Sequence, residues 1–225
     1  MSQPSAFTPL ASIDAVVIDT ETTGLDARIA RIVQLGGIGL TAGVIDRANG
    51  FDQLVYPGIP IPPQSTSIHG ISDHDVTGKP SFAQVAAAFA DFMHDRIVIG
   101  HSLDYDFAIL QEEYRLAGAS WRQPHALDVR VLAQLVSPRL QDHSLDRLCE
   151  WLGVEMTARH TAMGDALATA EVYLRLVPHL RHRGIRTFAE AKAAVAAVTE
   201  RDARTARGLL VVDTPAAFRA PVFLI

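Results

Sequence analysis

Lysine is nearly missing from this chain. Among 225 residues there are 20 basic side chains, and only Lys79 and Lys192 are lysines. The 25 acidic residues outnumber them, leaving a net charge of −5, which excludes a protein that grips nucleic acid over a broad basic surface. A small acidic site that meets phosphate through cations is still allowed. There is one cysteine, Cys149, in the apolar context "LDRLCEWLG", so no internal disulfide can form and the side chain reads as a packed helix residue. Long apolar runs are also absent: nothing approaches the roughly 20 residues needed to cross a bilayer, and "MSQPSAFTPLASID" has no basic segment leading into an apolar one. A soluble, cytoplasmic chain without membrane contact is expected. There is no internal repeat or low-complexity tract. What is present is a 48% hydrophobic composition, enough at this length for one substantial core.

Residues 13 to 19 read as a first strand. "RIVQLGGIGL" and "GVIDRANGFDQLVYP" read as a hairpin turning at Thr41-Ala42-Gly43. A long Pro- and Ser/Thr-rich loop carrying His69 follows, then a helix capped by Ser81. "RIVIG" is a short buried strand, "LDYDFAILQEEYRLAG" an amphipathic helix closed by Gly118, and "HALDVRVLAQLV" a strand running into a helix. "HSLDRLCEWLGV" and "TAMGDALATAEVYLRLV" are two more helices, the second expected to end before Pro178. Strands clustered early and βα units later predict an α/β fold with a mixed five-stranded sheet flanked by helices. Beyond residue 180, "RHRGIR" reads as a charged hinge. The next segment places Phe188, Ala191, Val195 and Val198 on one stripe of a packing helix, and residues 209–225 form an apolar tail. The expected division is a domain over 1–180 and a C-terminal extension over 181–225, the tail serving to dock or to meet a partner.

The chemistry begins in "VVIDTETTG". Side chains at i and i+2 of a strand leave the same face, so Asp19 and Glu21 emerge together. Two carboxylates this close must hydrate, share a proton or share a cation, and hard divalent ions favour such oxygen ligands. In "VIGHSLDYDFAIL", Asp106 falls in the first turn of a helix at the carboxyl end of a strand, where α/β sites form. In "ARHTAMGDALATAEVYL", His160 and Asp165 are five residues apart, about 140° around a helix at about 100° per residue. His160 therefore belongs on the entering loop and Asp165 on the helix. Taken singly, each has a plain structural explanation: a solvated strand end, a complement to a helix dipole, an exposed loop.

Taken in order, "IDTETTGLD", "IHGI", "GHSLDYD", "LDVRVLAQLV", "HSLDRLC" and "HTAMGDA" resemble the DEDDh subgroup of the DnaQ-like 3′-to-5′ exonuclease superfamily, which includes proofreading subunits of bacterial replicative polymerases. The resemblance covers roughly residues 13–178. It implies a ribonuclease-H-like fold and two Mg²⁺ (or Mn²⁺) ions held by Asp19, Glu21, Asp106 and Asp165, with His160 as general base. Thr22 and His69 would contact the terminal nucleotide, with Leu25 and Tyr105 flanking its base or sugar. Ser102, a further candidate substrate contact, stands where the family commonly has Asn, Tyr105 where Phe is most frequent, and Gln34 where Glu is often found. Asp104 is a rival carboxylate near Asp106, and the motif count selects Asp106.

The activity implied is hydrolysis of the terminal phosphodiester of a single-stranded 3′ end, with DNA favoured over RNA, in proofreading or repair. Residues 209–225 would be the contact for a polymerase or another protein. An exoribonuclease acting on short RNA is the rival within the class. A non-catalytic nucleic-acid-binding scaffold is the rival outside it, opposed by the presence of all five matched groups.

Overall fold

The early hairpin and the later βα units resolve into one five-stranded mixed sheet, ordered β3-β2-β1-β4-β5. The computed structural model describes residues 5–206, with side chains through Glu200; the tail at 209–225 lies outside the described residues. Strands β1 (Ala15–Thr22), β2 (Ile32–Thr41) and β3 (Val44–Leu54) form an antiparallel meander, and β4 (Ile97–Gly100) and β5 (Ala126–Asp128) run parallel to β1. The hairpin turns where the sequence places it. β1 is buried along nearly its whole length because helices cover both faces, the condition under which a strand reads as a continuous apolar run. β3, at the edge, has no fully buried residue and carries Asp46, Arg47 and Asp52, charges that discourage pairing with another chain.

Two helical layers build two cores. On one face, Val16, Ile18 and Val98 pack under α3 (Phe82–Met93) and α4 (Leu103–Leu116). On the other, Ala15, Val17 and Ile99 pack under α5 (Val129–Val136), α6 (Leu145–Leu152) and α7 (Ala162–His182). Cys149 is buried in α6, as its context predicts. α8 (Phe188–Ala206) rests on α5 and β5. Phe188 and Ala191 are buried in the same core as α7, and Val195 packs against it. The chain at 6–10 is laced to residues 186–189, with Leu10 N–H donating to the Arg186 carbonyl and Phe188 N–H to that of Thr8, both at 2.9 Å.

Two expectations need correction. The segment after β3 is not a single long loop: it folds into short helices α1 (Pro63–His69) and α2 (Asp73–Val76), the first entered through Pro62-Pro63 and closed by Gly70 at φ 76°. Proline suits a first helical turn, where its missing N–H costs nothing, so the prolines here start a helix. Nor does α7 stop before Pro178; it runs on to His182. Pro178 is exposed, so its ring lies on the outer side, while Leu176 and Leu180 are fully buried. That burial offsets the roughly 3 kcal/mol that an internal proline costs a helix.

α7 lies so close to β2 that a Cβ at Gly36 would overlap the backbone of Ala162 and Met163. Gly36→Ala should therefore push the first turn of α7 off the sheet, costing about 2–3 kcal/mol in urea unfolding. It should also weaken divalent-cation binding, because Asp165 rides on that turn. A stability loss with cation affinity unchanged would uncouple this contact from the site.

Candidate active site

β1 delivers its carboxylates where the sheet runs out. Asp19 pairs with Gly36 and Glu21 with Gln34 across β2, on the face that α7 crosses. Asp165, in the first turn of α7, meets them there, and one oxygen from each of Asp19, Glu21 and Asp165 lies within 4.8 Å of the others. Burial, then the charges of Asp106, Asp165 and Glu21, raise the Asp19 carboxyl well above its ordinary range. Burial, then Asp165, push Glu21 up to about 7. Burial also raises Asp165, against the opposing charge of Arg159. Among the described residues Asp165 Oδ1 is buried with no hydrogen-bond partner, an arrangement costly for a charged oxygen unless a cation meets it.

Asp106 arrives from the opposite layer. α4 begins at Leu103, whose N–H donates to Asp128 Oδ2 at 2.9 Å, while Asp128 Oδ1 accepts the Arg130 N–H at 2.8 Å. One carboxylate at the end of β5 thus caps both α4 and α5. The first turn of α4 buries Asp106 and leaves Asp104 exposed. Asp106 Oδ1 accepts from Thr20 Oγ1 at 2.8 Å, and burial holds its carboxyl at about 7 despite that bond. Asp106 is outside the tight trio, but its charge acts directly on Asp19. Four acidic groups from three segments therefore collect at one strand end.

His160 sits on the loop before α7 at φ 60°, a left-handed conformation that histidine tolerates better than most residues. Thr161 then caps the helix, accepting the Gly164 N–H at 3.1 Å. A Cβ at Gly164 would overlap the Ala158 carbonyl, so the loop folds back over α7 only because that position is glycine. On the far side of the strand end, Ser65 Oγ donates to the Thr23 carbonyl at 2.9 Å and holds α1 in place. This sets His69, which is buried, beside Thr22 and within electrostatic reach of His160. His69 Nδ1 accepts the Ile71 N–H at 3.0 Å, so Nε2 carries the proton, and among the described residues Nε2 has no partner in hydrogen-bond geometry. Thr22 Oγ1 is 2.7 Å from the Tyr105 hydroxyl, and both hydroxyls donate to the Gly24 carbonyl. Leu25 is 91% exposed. Ser102 holds φ 63° as the residue before α4, its hydroxyl 3.4 Å from His101 Nδ1.

With this geometry in place, the Exonuclease (RNase_T) family matches residues 16–173. The chain belongs to the exonuclease family, within the DnaQ-like superfamily. It is 40% identical over 186 residues to the DNA polymerase III subunit epsilon-like protein of Rhodobacter capsulatus, covering 81% of this chain but 26% of that protein. It is 33% identical over 168 residues to the DNA polymerase III subunit epsilon of Aquifex aeolicus, covering 73% of this chain and 81% of the relative. The fold matches E. coli Exonuclease I in complex with a dT13 oligonucleotide at a TM-score of 0.67, with 17% identity over 76% of this chain and 42% of that one. The ribonuclease-H-like architecture expected from the motifs is the one found.

Three residues of this exonuclease-family chain contact the site elements in ways the sequence did not reveal. Gln34 Oε1 accepts the Ala162 N–H at 3.1 Å while its Nε2 donates to Asp52 at 2.8 Å, fixing the start of α7 to β2. Asp128 does the same for α4. Arg159 donates to Asp146 through Nε at 2.8 Å and Nη2 at 3.0 Å, and pairs with Asp165 through Nη1. Only Asp128 left a signal, as an N-cap residue between strand and helix. Gln34 acts across 128 residues of sequence, and Arg159 reaches Asp165 and Asp146, 6 and 13 residues away, from a loop that no helical or strand period describes.

Proposed function

We propose that this chain hydrolyses the terminal phosphodiester at the 3′ end of single-stranded DNA and releases nucleoside 5′-monophosphates, in proofreading or repair. What carries the reading is the gathering of Asp19, Glu21 and Asp165 within 4.8 Å, with Asp106 adjoining and a loop imidazole alongside. The donor set is all oxygen, which suits Mg²⁺ or Mn²⁺, and the bare Asp165 Oδ1 fits a metal ligand. Two such ions, held by these four carboxylates, would supply Lewis-acid polarisation and charge neutralisation at the scissile phosphate.

The chain's own groups do the rest. His160 accepts the proton of the attacking water as its oxygen adds to phosphorus; the bond from phosphorus to the 3′ oxygen breaks, that oxygen takes a proton from solvent water, and His160 returns its own to solvent. Thr22 and the His69 Nε2–H hold the terminal nucleotide, and Leu25 and Tyr105 bound its base and sugar, sequence-tolerant contacts of the kind that hold a single strand. Ser102 is the least engaged of the substrate residues, since its hydroxyl points to His101. The preference for DNA draws support from the oligonucleotide bound by Exonuclease I. The role of a polymerase partner rests on the DNA polymerase III relatives.

The deciding experiment compares mononucleotide release from matched DNA and RNA oligomers with free 3′ ends, in Mg²⁺, for the wild type and His160→Ala. We expect DNA to be preferred and the metal-saturated turnover of His160→Ala to fall about 10²- to 10⁴-fold. Preference for RNA would move the substrate to the 2′-hydroxyl polymer. An intact turnover in His160→Ala would remove His160 from the chemistry.

A further inference from the structure

The strand-end carboxylates already face a cation supplied by the chain. The Arg159 guanidinium spans two acidic groups: its Nε and Nη2 form a fork on Asp146, at the start of α6, and its Nη1 pairs with Asp165 Oδ2. The two partners differ in setting, the Asp146 side chain being 56% exposed and that of Asp165 only 7%. Arg159 thus sits on a line leading from solvent to the carboxylate trio.

We propose that Arg159 is a built-in counter-cation that competes with divalent metal for Asp165, with Asp146 as its outer mooring, and that this contest sets the metal affinity of the site. The inference rests on reading the trio as a divalent-metal centre. A guanidinium stays charged at any working pH, so it cannot yield to a metal by losing a proton. It must either shift its weight to Asp146 or remain beside the incoming ion, and like charges in a partly buried site repel strongly. Oδ1 of Asp165 is buried with no hydrogen-bond partner among the described residues, so an ion meeting it would share that carboxylate with the guanidinium on Oδ2. Arg159 also lies between Ala158 and His160, both left-handed at φ 55° and 60°. Its backbone is therefore held in a tight loop, and the side chain is the part free to move between the two carboxylates.

The opposite role, a strut that orients Asp165 for metal, predicts the opposite sign, so calorimetric titration with Mn²⁺ alone, without nucleic acid, separates them. Competition predicts that Arg159→Met binds Mn²⁺ at least about tenfold more tightly than wild type, a factor worth about 1.4 kcal/mol. Arg159→Lys, which keeps the charge, should stay nearer wild type. Asp146→Asn, at an exposed position, should bind more weakly by leaving the guanidinium wholly on Asp165, and that loss should shrink sharply in the Arg159→Met background. Equal or weaker binding by Arg159→Met would overturn the proposal in favour of the strut. So would an Asp146→Asn effect undiminished when Arg159 is gone. If Arg159→Met does not fold, Asp146→Asn decides: unchanged or tighter binding rejects competition. A wild type that takes up no Mn²⁺ would reject the metal centre itself, and this proposal with it, whereas a wild type that binds normally while the variants fail rejects only the role of Arg159.

Discussion

Asp19→Asn should raise the melting temperature of the metal-free protein at pH 8, erase most of its response to Mg²⁺ or Mn²⁺, and lower turnover about 10³-fold or more. The three effects have one cause. Asp19 lies at the centre of the repulsion, its carboxyl raised by burial and then by Asp106, Asp165 and Glu21 in turn. Asparagine keeps the shape and removes the charge, so the folded state loses a like-charge conflict that the unfolded chain never had. The same change removes a proposed ligand, so cation binding should no longer add its free energy to the native state. In a domain of this size, 1 kcal/mol moves the melting temperature by about 2–4 °C, which thermal melts with EDTA and with Mn²⁺ read directly. Equal metal-induced shifts in wild type and Asp19→Asn would mean that the cation binds elsewhere.

The legible part of the molecule is the part written in local periodicity. The alternation in β1 that sends Asp19 and Glu21 to one face, the placement of Asp106 in a first helical turn, and the separation of His160 on a loop from Asp165 on a helix follow from strand and helix geometry. The hairpin at Ala42-Gly43 and the burial of Cys149 follow from composition. The errors came where tertiary packing overrides a breaker: Pro178 continues α7 because Leu176 and Leu180 are buried beside it, and the prolines after β3 open α1. What stayed unreadable is long-range. Gln34 holds the start of α7 from a position 128 residues away in sequence. Arg31 forms a two-point ion pair with the buried Glu113, which also accepts the Ile32 N–H. No window of sequence contains both partners of either contact, although each fixes an element that carries a site residue.

Without divalent metal, stability should fall as pH rises from about 4 to above 7, the reverse of the usual acid destabilisation by salt-bridged carboxylates. Burial raises Glu21 from 4.5 and Asp106 from 3.8, each to about 7. Between their unfolded and folded values the native state binds more protons than the unfolded chain, so each rise in pH favours unfolding. The contribution is complete below the unfolded values and lost as pH passes the folded ones. At about 1.4 kcal/mol per unit, each of these carboxyls contributes at most about 3–4 kcal/mol. The depressed carboxyls of Asp26 and Asp75 work in the other direction, but both are on the surface, where such pairs count for little. Saturating Mg²⁺ should reverse the trend above pH 6, since the ionised carboxylates bind the cation and a ligand at 100 times its dissociation constant adds about 2.7 kcal/mol. Urea unfolding at pH 5, 6, 7 and 8, with EDTA and with Mg²⁺, gives two curves that should diverge steadily toward alkaline pH. Parallel curves would show that the buried acids at the end of β1 keep their protons or find their charge balance within the chain, and would leave the cation no part in the fold.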